Sequence, residues 1–255
     1  MHCSKDYVSY IANAGVLVNM GGKKILIDAL CQSETSLYKS TPENVYQSIL
    51  KQEPPFDGID FLLVTHHHSD HFNRDMVVSF LESSKKTAFI STEAIVSRIQ
   101  RHAPQLDPEG FYAMDPGLRH SQSLKIDGVT IQAMSMVHDG EEFTETQNLA
   151  FMMENGKKVM HLGDAAPVPE NFQSFGIKEQ GINLLLANFP YAGIPGARKT
   201  VRECIAPQKM AVIHLPDPNK DRWGWIKATQ KSHERVSKDF PKTIFLKEAG
   251  DQVHF

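Results

Sequence analysis

The chain has 255 residues, 41% hydrophobic and 22% charged, with a formal net charge of −3. That length holds one large domain or two small ones, and the composition is that of an ordinary globular protein. The near-balanced charge gives no global pull toward nucleic acid or an anionic membrane, and no apolar run approaches the length of a membrane span.

The first elements predicted are a β-meander. Tyr7–Ile11 alternates, Gly15–Asn19 forms a second strand, Gly21-Gly22 supplies a turn tolerant of positive φ, and Lys24–Asp28 forms a third. Asp28 at its end either braces neighbouring loops or is a solvated turn residue. Thr41-Pro42-Glu43 predicts a helix start with Thr41 as N-cap, followed by an apolar stripe at Val45, Ile49 and Leu50. The run Ile59–Val64 reads as a buried strand. It leads into Thr65-His66-His67-His68-Ser69-Asp70-His71, and Asn73–Met76 then starts a helix with Met76, Val77, Phe80 and Leu81 on one face. Thr87–Ser91 is a strand, Thr92–Arg101 a helix capped by Thr92, and Ala103–Pro116 a loop.

The second half begins with a hairpin, Ser123–Ile126 and Val129–Met134 across Asp127-Gly128, whose second strand runs on to His138. Gln147–Met153 and Lys158–Leu162 flank the turn Asn155-Gly156, and the second strand ends in Gly163-Asp164. A short helix is predicted at Glu170–Phe175 and a buried strand at Ile182–Ala187. A Pro/Gly loop follows at Asn188–Gly196, then a helical stretch at Lys199–Ala206. Lys209–Ile213 is a strand ending in His214, Arg222–Asp239 a long amphipathic helix, and two short strands close the chain. The cysteines Cys3, Cys31 and Cys204 are far apart with no CxxC spacing, which predicts reduced thiols. With no apolar signal core at the start, a cytoplasmic location is expected.

Four of the six residues His66–His71 are good metal-ligand types: His66, His68, Asp70 and His71. Three further ligand types, His138, Asp164 and His214, also stand where apolar strands end. In layered α/β architectures such ends converge along one edge of a sheet. Seven ligand types at four strand ends suit a two-metal site. His67 and His161 are expected to support or pack beside it. His102, His120, His233 and His254 are expected at the surface. Asn188, Tyr191, Arg198 and Lys199, in or after the Gly/Pro loop, are candidates for contacting an anionic substrate. Trp223 and Trp225 either wall a pocket or pack in the core.

The ordered series His66-x-His68-x-Asp70-His71, His138, Gly163-Asp164 and His214 resembles the motif series of the metallo-β-lactamase superfamily. Within it, Leu184–Leu186, Ala206-Pro207 and Val212-Ile213-His214 are similar to the compact hydrolase branch that includes the ascorbate-6-phosphate lactonase type. The resemblance implies an α/β (α+β) fold, a single domain over 1–255, built as a four-layer αββα sandwich of two mixed β-sheets flanked by helices. It implies one metal on His66, His68 and His138, a second on Asp70, His71 and His214, and Asp164 bridging them. The donors are nitrogen and oxygen with no thiolate, so two divalent ions are expected, Zn²⁺ by default with Mn²⁺ or Fe²⁺ as alternatives.

The implied chemistry is hydrolysis of an ester, lactone or phosphodiester of a small molecule by a metal-bridging hydroxide. Asp70 would orient the hydroxide and pass a proton to the leaving group. Asp164 stands where true metallo-β-lactamases carry Cys or Ser. His68 stands where flavodiiron relatives carry Glu. The chain has no room for a β-CASP insert or a helical glyoxalase II tail, and no long arm of the tRNA-processing kind. The rivals on the same fold are a mononuclear iron oxidoreductase of the dioxygenase type and a non-catalytic metal-binding protein. Homo-oligomerisation is left open, and neither a membrane nor a nucleic-acid partner is expected.

Overall fold

A computed structural model describes residues 6–255. Cys3 lies outside the described residues; Cys31 and Cys204 are both free thiols. The chain forms two compact units, one of residues 6–115 and 248–254, the other of residues 116–247 and Phe255.

The first unit carries β1 (Tyr7–Ala12), β2 (Gly15–Met20), β3 (Lys23–Ile27), α1 (Glu43–Leu50), β4 (Phe61–Leu63), α2 (Arg74–Ser83), β5 (Ala88–Thr92), α3 (Glu93–His102) and β6 (Phe111–Met114). The second carries β7 (Ser121–Ile126), β8 (Val129–Met136), β9 (Asn148–Asn155), β10 (Lys157–His161), β11 (Leu184–Asn188), α4 (Pro190–Gly193), α5 (Pro195–Thr200), β12 (Lys209–Ile213), α6 (Trp225–Glu234) and β13 (Lys242–Phe245). Finally β14 (Gln252–His254) returns to pair antiparallel with β1. Each unit holds one seven-stranded mixed sheet, in the orders β14-β1-β2-β3-β4-β5-β6 and β13-β12-β11-β10-β9-β8-β7.

The strands read as near-continuous apolar runs because both faces of their residues are buried. In the first unit Leu17, Leu26, Leu62 and Phe89 meet the buried stripes of the helices: Ile49 of α1, Val77 and Phe80 of α2, Ile95 and Ile99 of α3. Each such side chain contributes roughly 1.5–3 kcal/mol by leaving water. Asn73 caps α2, accepting from the Asp75 and Met76 amides, and Thr92 caps α3 through the Ile95 amide. In the second unit Met134, Met152, Leu185 and Val212 pack with Phe172, Tyr191 and Ile205.

Three expectations are corrected. Thr41 does not cap α1; its hydroxyl donates to the Ala29 carbonyl, so the helix starts from Pro42 with no side-chain cap. The stretch 103–116 is not all loop, because β6 adds an edge strand parallel to β5. The long helix expected over 222–239 is confined to α6, since Gly224 takes a left-handed conformation (φ 66°) and ends it on the N-terminal side.

Candidate metal centre

In the first unit β3 and β4 run parallel, so Asp28, after β3, and the histidine loop, after β4, emerge at one sheet edge. Asp28 is fully buried and in the left-handed region (φ 48°). Its carboxylate accepts from the Thr65 amide at 2.8 Å, the Thr65 hydroxyl at 2.7 Å and His71 Nδ1 at 2.8 Å. A carboxylate only accepts, so His71 carries its proton on Nδ1. Thr65 has spent its proton on Asp28, so at 2.9 Å it accepts from His66 Nδ1. One carboxylate thus sets the tautomer of two imidazoles, directing both Nε2 lone pairs away from it. The brace, not the solvated turn, is what Asp28 provides.

Asp70 is held from the β1–β2 turn. Asn13, fully buried, donates Nδ2 to the Asp70 carbonyl at 2.8 Å and to Asp70 Oδ2 at 3.1 Å. That turn lies tight against Asp28. A Cβ on Gly15 would fall 2.9 Å from the Asp28 carbonyl oxygen, closer than real Cβ contacts allow.

In the second unit β8 and β10 each pair antiparallel with β9, and β10, β11 and β12 are mutually parallel, so four strands end at one edge. His138, Asp164, Asn188 and His214 stand there. His138 Nδ1 donates to the Asp139 carbonyl at 2.6 Å, which leaves Nε2 as the acceptor nitrogen. That Nε2 faces Asp164 Oδ2 at 3.6 Å, and His214 Nε2 lies 3.3 Å from the same oxygen. Asp164 Oδ1 accepts from Asn188 Nδ2 at 2.8 Å. His214 adopts φ 55°, a left-handed conformation that non-glycine residues take uncommonly.

The loop bearing Asp164 is gripped at every residue. The Gly163 amide donates to His161 Nδ1 at 3.0 Å, and the Asp164 amide to Asn148 Oδ1 at 2.9 Å. The Ala165 carbonyl accepts from the Tyr191 hydroxyl at 2.9 Å. The Ala166 carbonyl accepts from Asn171 Nδ2 at 3.0 Å, and the Pro167 carbonyl from Thr200 Oγ1 at 3.1 Å. Asn171 also takes both backbone groups of Val137, each at 2.9 Å, and so ties the His138 strand to the Asp164 loop. Burial, with the carboxylates of Asp139 and Asp164 nearby, holds the Tyr191 phenol well above its ordinary range, so it stays a neutral donor. Burial and then the Asp164 charge push the Asp139 carboxyl up.

Of the residues expected to meet substrate, Asn188 bonds Asp164 and Tyr191 is buried on Ala165. Arg198 is buried with its guanidinium on the Ala192 and Gly193 carbonyls and Ser232, and Lys199 is exposed, 3.9 Å from Glu203. His67 is exposed, and His161 is buried in the loop clamp. His233, expected at the surface, is buried against Phe240 and Phe245. Asn13, Thr65, Asn148 and Asn171 escaped the sequence because isolated Asn and Thr residues carry the ordinary signal of turns and strand ends.

This donor chemistry fits divalent cations. His138 and His71 present nitrogen lone pairs toward carboxylate oxygens, at 3.6 Å for Asp164 and 3.8 Å for Asp70. Acceptor facing acceptor is unfavourable until a cation or a proton lies between them. All are imidazole or carboxylate groups, which suit Zn²⁺, Mn²⁺ or Fe²⁺.

Residues 23–214 match the sequence profile of the Beta-lactamase superfamily domain. The chain is 30% identical over 101 residues to the UPF0173 protein YddR of Bacillus subtilis (strain 168), a match covering 36% of this chain and 39% of that relative's length. In fold it is similar to Igni18, a metallo hydrolase from the archaeon Ignicoccus hospitalis (TM-score 0.64, 17% identity, 99% of both chains covered). It is similar to a possible metal-dependent hydrolase from Veillonella parvula (TM-score 0.67, 15% identity, 98% of this chain and 99% of that one). It also resembles CmlA, a diiron β-hydroxylase from Streptomyces venezuelae (TM-score 0.64, 14% identity, 98% of this chain and 54% of that one).

Proposed function

Because the chain belongs to the metallo-β-lactamase superfamily, we propose that it is a binuclear metal-dependent hydrolase of an ester, lactone or phosphodiester, acting as one domain over 1–255. In this proposal His66, His68 and His138 hold one cation, Asp70, His71 and His214 the second, and Asp164 serves both. The observation that carries it is the grouping of ligand atoms. Within the second unit His138 Nε2 and His214 Nε2 gather around Asp164 Oδ2 at 3.6 and 3.3 Å, and within the first Asp28 orients His71 and, through Thr65, His66.

Divalent cations held there would supply an acidified water and a Lewis acid for the attacked oxygen. The protein's own groups do the rest. Asp28 and the Asp139 carbonyl keep protons on the outer ring nitrogens. Asn188 and the backbone clamp fix Asp164. Asp70, steered by Asn13, is the carboxylate that accepts a proton and hands it to the leaving group. Lys199, exposed, can offer its charge to an anionic substrate; Asn188 and Tyr191 act by holding the Asp164 loop, and Arg198 by tying the Ala192 and Gly193 carbonyls to Ser232.

An oxidative reading rests on the likeness in fold to a diiron hydroxylase. Elemental analysis of protein grown without added metal, with assays of phosphodiesters, lactones and thioesters, separates the two. Two equivalents of zinc or manganese, with turnover lost on order of 100-fold or more in His68→Ala, supports hydrolysis. Iron with substrate-dependent oxygen uptake overturns it.

A further inference from the structure

Five large apolar side chains are strongly exposed among the described residues: Leu118, Phe143, Val168, Ile194 and Trp223. Isolated ones are normal on any surface. Their placement here is not scattered. Phe143 follows His138, Val168 follows Asp164, Ile194 follows Asn188 and Trp223 follows His214, so each lies in the segment leaving one of β8, β10, β11 and β12. These four strands end at one edge of the second unit's sheet.

Contacts tie the segments to the ligand residues. The Phe143 ring meets the His138 ring edge-on at 5.3 Å. Trp223 stacks on Trp225 at 4.7 Å and 14°, and Trp225 stacks on Phe189 at 5.7 Å and 24°. Phe189 directly follows Asn188, whose amide holds Asp164. The Arg222 guanidinium lies over the Trp223 ring, 4.1 Å from its centroid.

We infer that these segments form an apolar rim that binds a hydrocarbon or aryl part of the substrate, so that the substrate class is an acyl or aryl ester or lactone with an apolar tail. This rests on the hydrolase reading above for the reacting group, but the tail-binding rim itself stands on unit-two geometry. An apolar tail is a better match to this rim than a small polar metabolite, because such a metabolite would leave four half-exposed apolar side chains in water along the edge that carries His138, Asp164 and His214.

The test uses the chain's only two tryptophans, Trp223 and Trp225, both in the stack. The intact, metal-loaded protein is titrated with butanoate, hexanoate and octanoate, and tryptophan emission is followed. The headgroup is constant, so any trend belongs to the tail. Affinity should tighten on the order of tenfold from butanoate to octanoate, against a ceiling of about fourfold per fully buried methylene. The trend should flatten in Ile194→Ser and in Phe143→Ser, both of them exposed in the native fold. A flat series in the native protein overturns the inference, as does emission that shifts with protein concentration, which would mark the rim as covered by a second copy. A graded series with no hydrolysis of any ester or lactone upholds the rim and overturns the hydrolase.

Discussion

Asp28 is the smallest feature on which much of the first unit's proposed ligand set depends. It orients His71 directly and His66 through Thr65, from a fully buried and left-handed position. Asp28→Asn keeps the shape but replaces one accepting oxygen with a donor, which faces Thr65 or His71 and turns a ring over. Metal affinity should fall about 10- to 100-fold, the usual scale for groups that orient metal-ligating histidines. Competition with a chromophoric chelator measures it. Unchanged affinity would mean that the ring orientations are set elsewhere. The histidine cluster itself was legible in the sequence because its residue types are chemically distinctive and adjacent. Asp28 was half legible, since a strand-end carboxylate looks the same whether it is buried or solvated. Asn13 was not legible at all: in Ala12-Asn13-Ala14-Gly15 it has the signature of any turn, and only the parallel placing of β3 and β4 brings that turn to Asp70.

At the scale of elements, strand direction was the informative quantity. Runs such as Leu184–Asn188 and Lys209–Ile213 were readable because their residues are buried on both faces. The edge strand β6 was not, being half exposed and flanked by prolines, and α6 was overextended because nothing in a local window announces the left-handed Gly224. The clamp on the Asp164 loop likewise depends on tertiary placing. Asn171→Ala removes three hydrogen bonds at once and strands the Val137 amide, while the Val137 and Ala166 carbonyls keep the Ala166 and Val168 amides as donors. A stranded amide costs about 1–3 kcal/mol when water cannot reach it and each further lost bond about 0.5–1.5 kcal/mol, so a loss of roughly 2–4 kcal/mol is expected after relaxation. Urea unfolding of the metal-free protein reads that cost. A chelator titration in the same variant reads whether His138 and Asp164 have lost register; a stability loss with native metal affinity would confine Asn171 to a structural role.

At the scale of the whole molecule, the proposed ligand residues sit at the ends of strands that are otherwise mostly apolar, so the fold's core and its polar edge oppose each other energetically. Imidazole lone pairs directed at carboxylates weaken the fold until a cation or a proton lies between them. Metal that binds only the folded chain must therefore stabilise it: at one hundred times the dissociation constant the gain is about 2.7 kcal/mol. For a protein of this size that corresponds to roughly 5–10 °C in melting temperature. Chelation should lower the melting temperature by that amount at pH 7.5. The sign of the pH dependence follows from competition. Ligand imidazoles must shed protons to bind metal, so acid weakens binding, while in the metal-free protein the same protons relieve the lone-pair conflict. The gap between metal-loaded and metal-free melting temperatures should thus narrow from pH 7.5 to pH 5.5, and thermal melts of both forms across that range measure it. A gap that stays constant or widens toward acid would show that the cations bind somewhere other than these histidines.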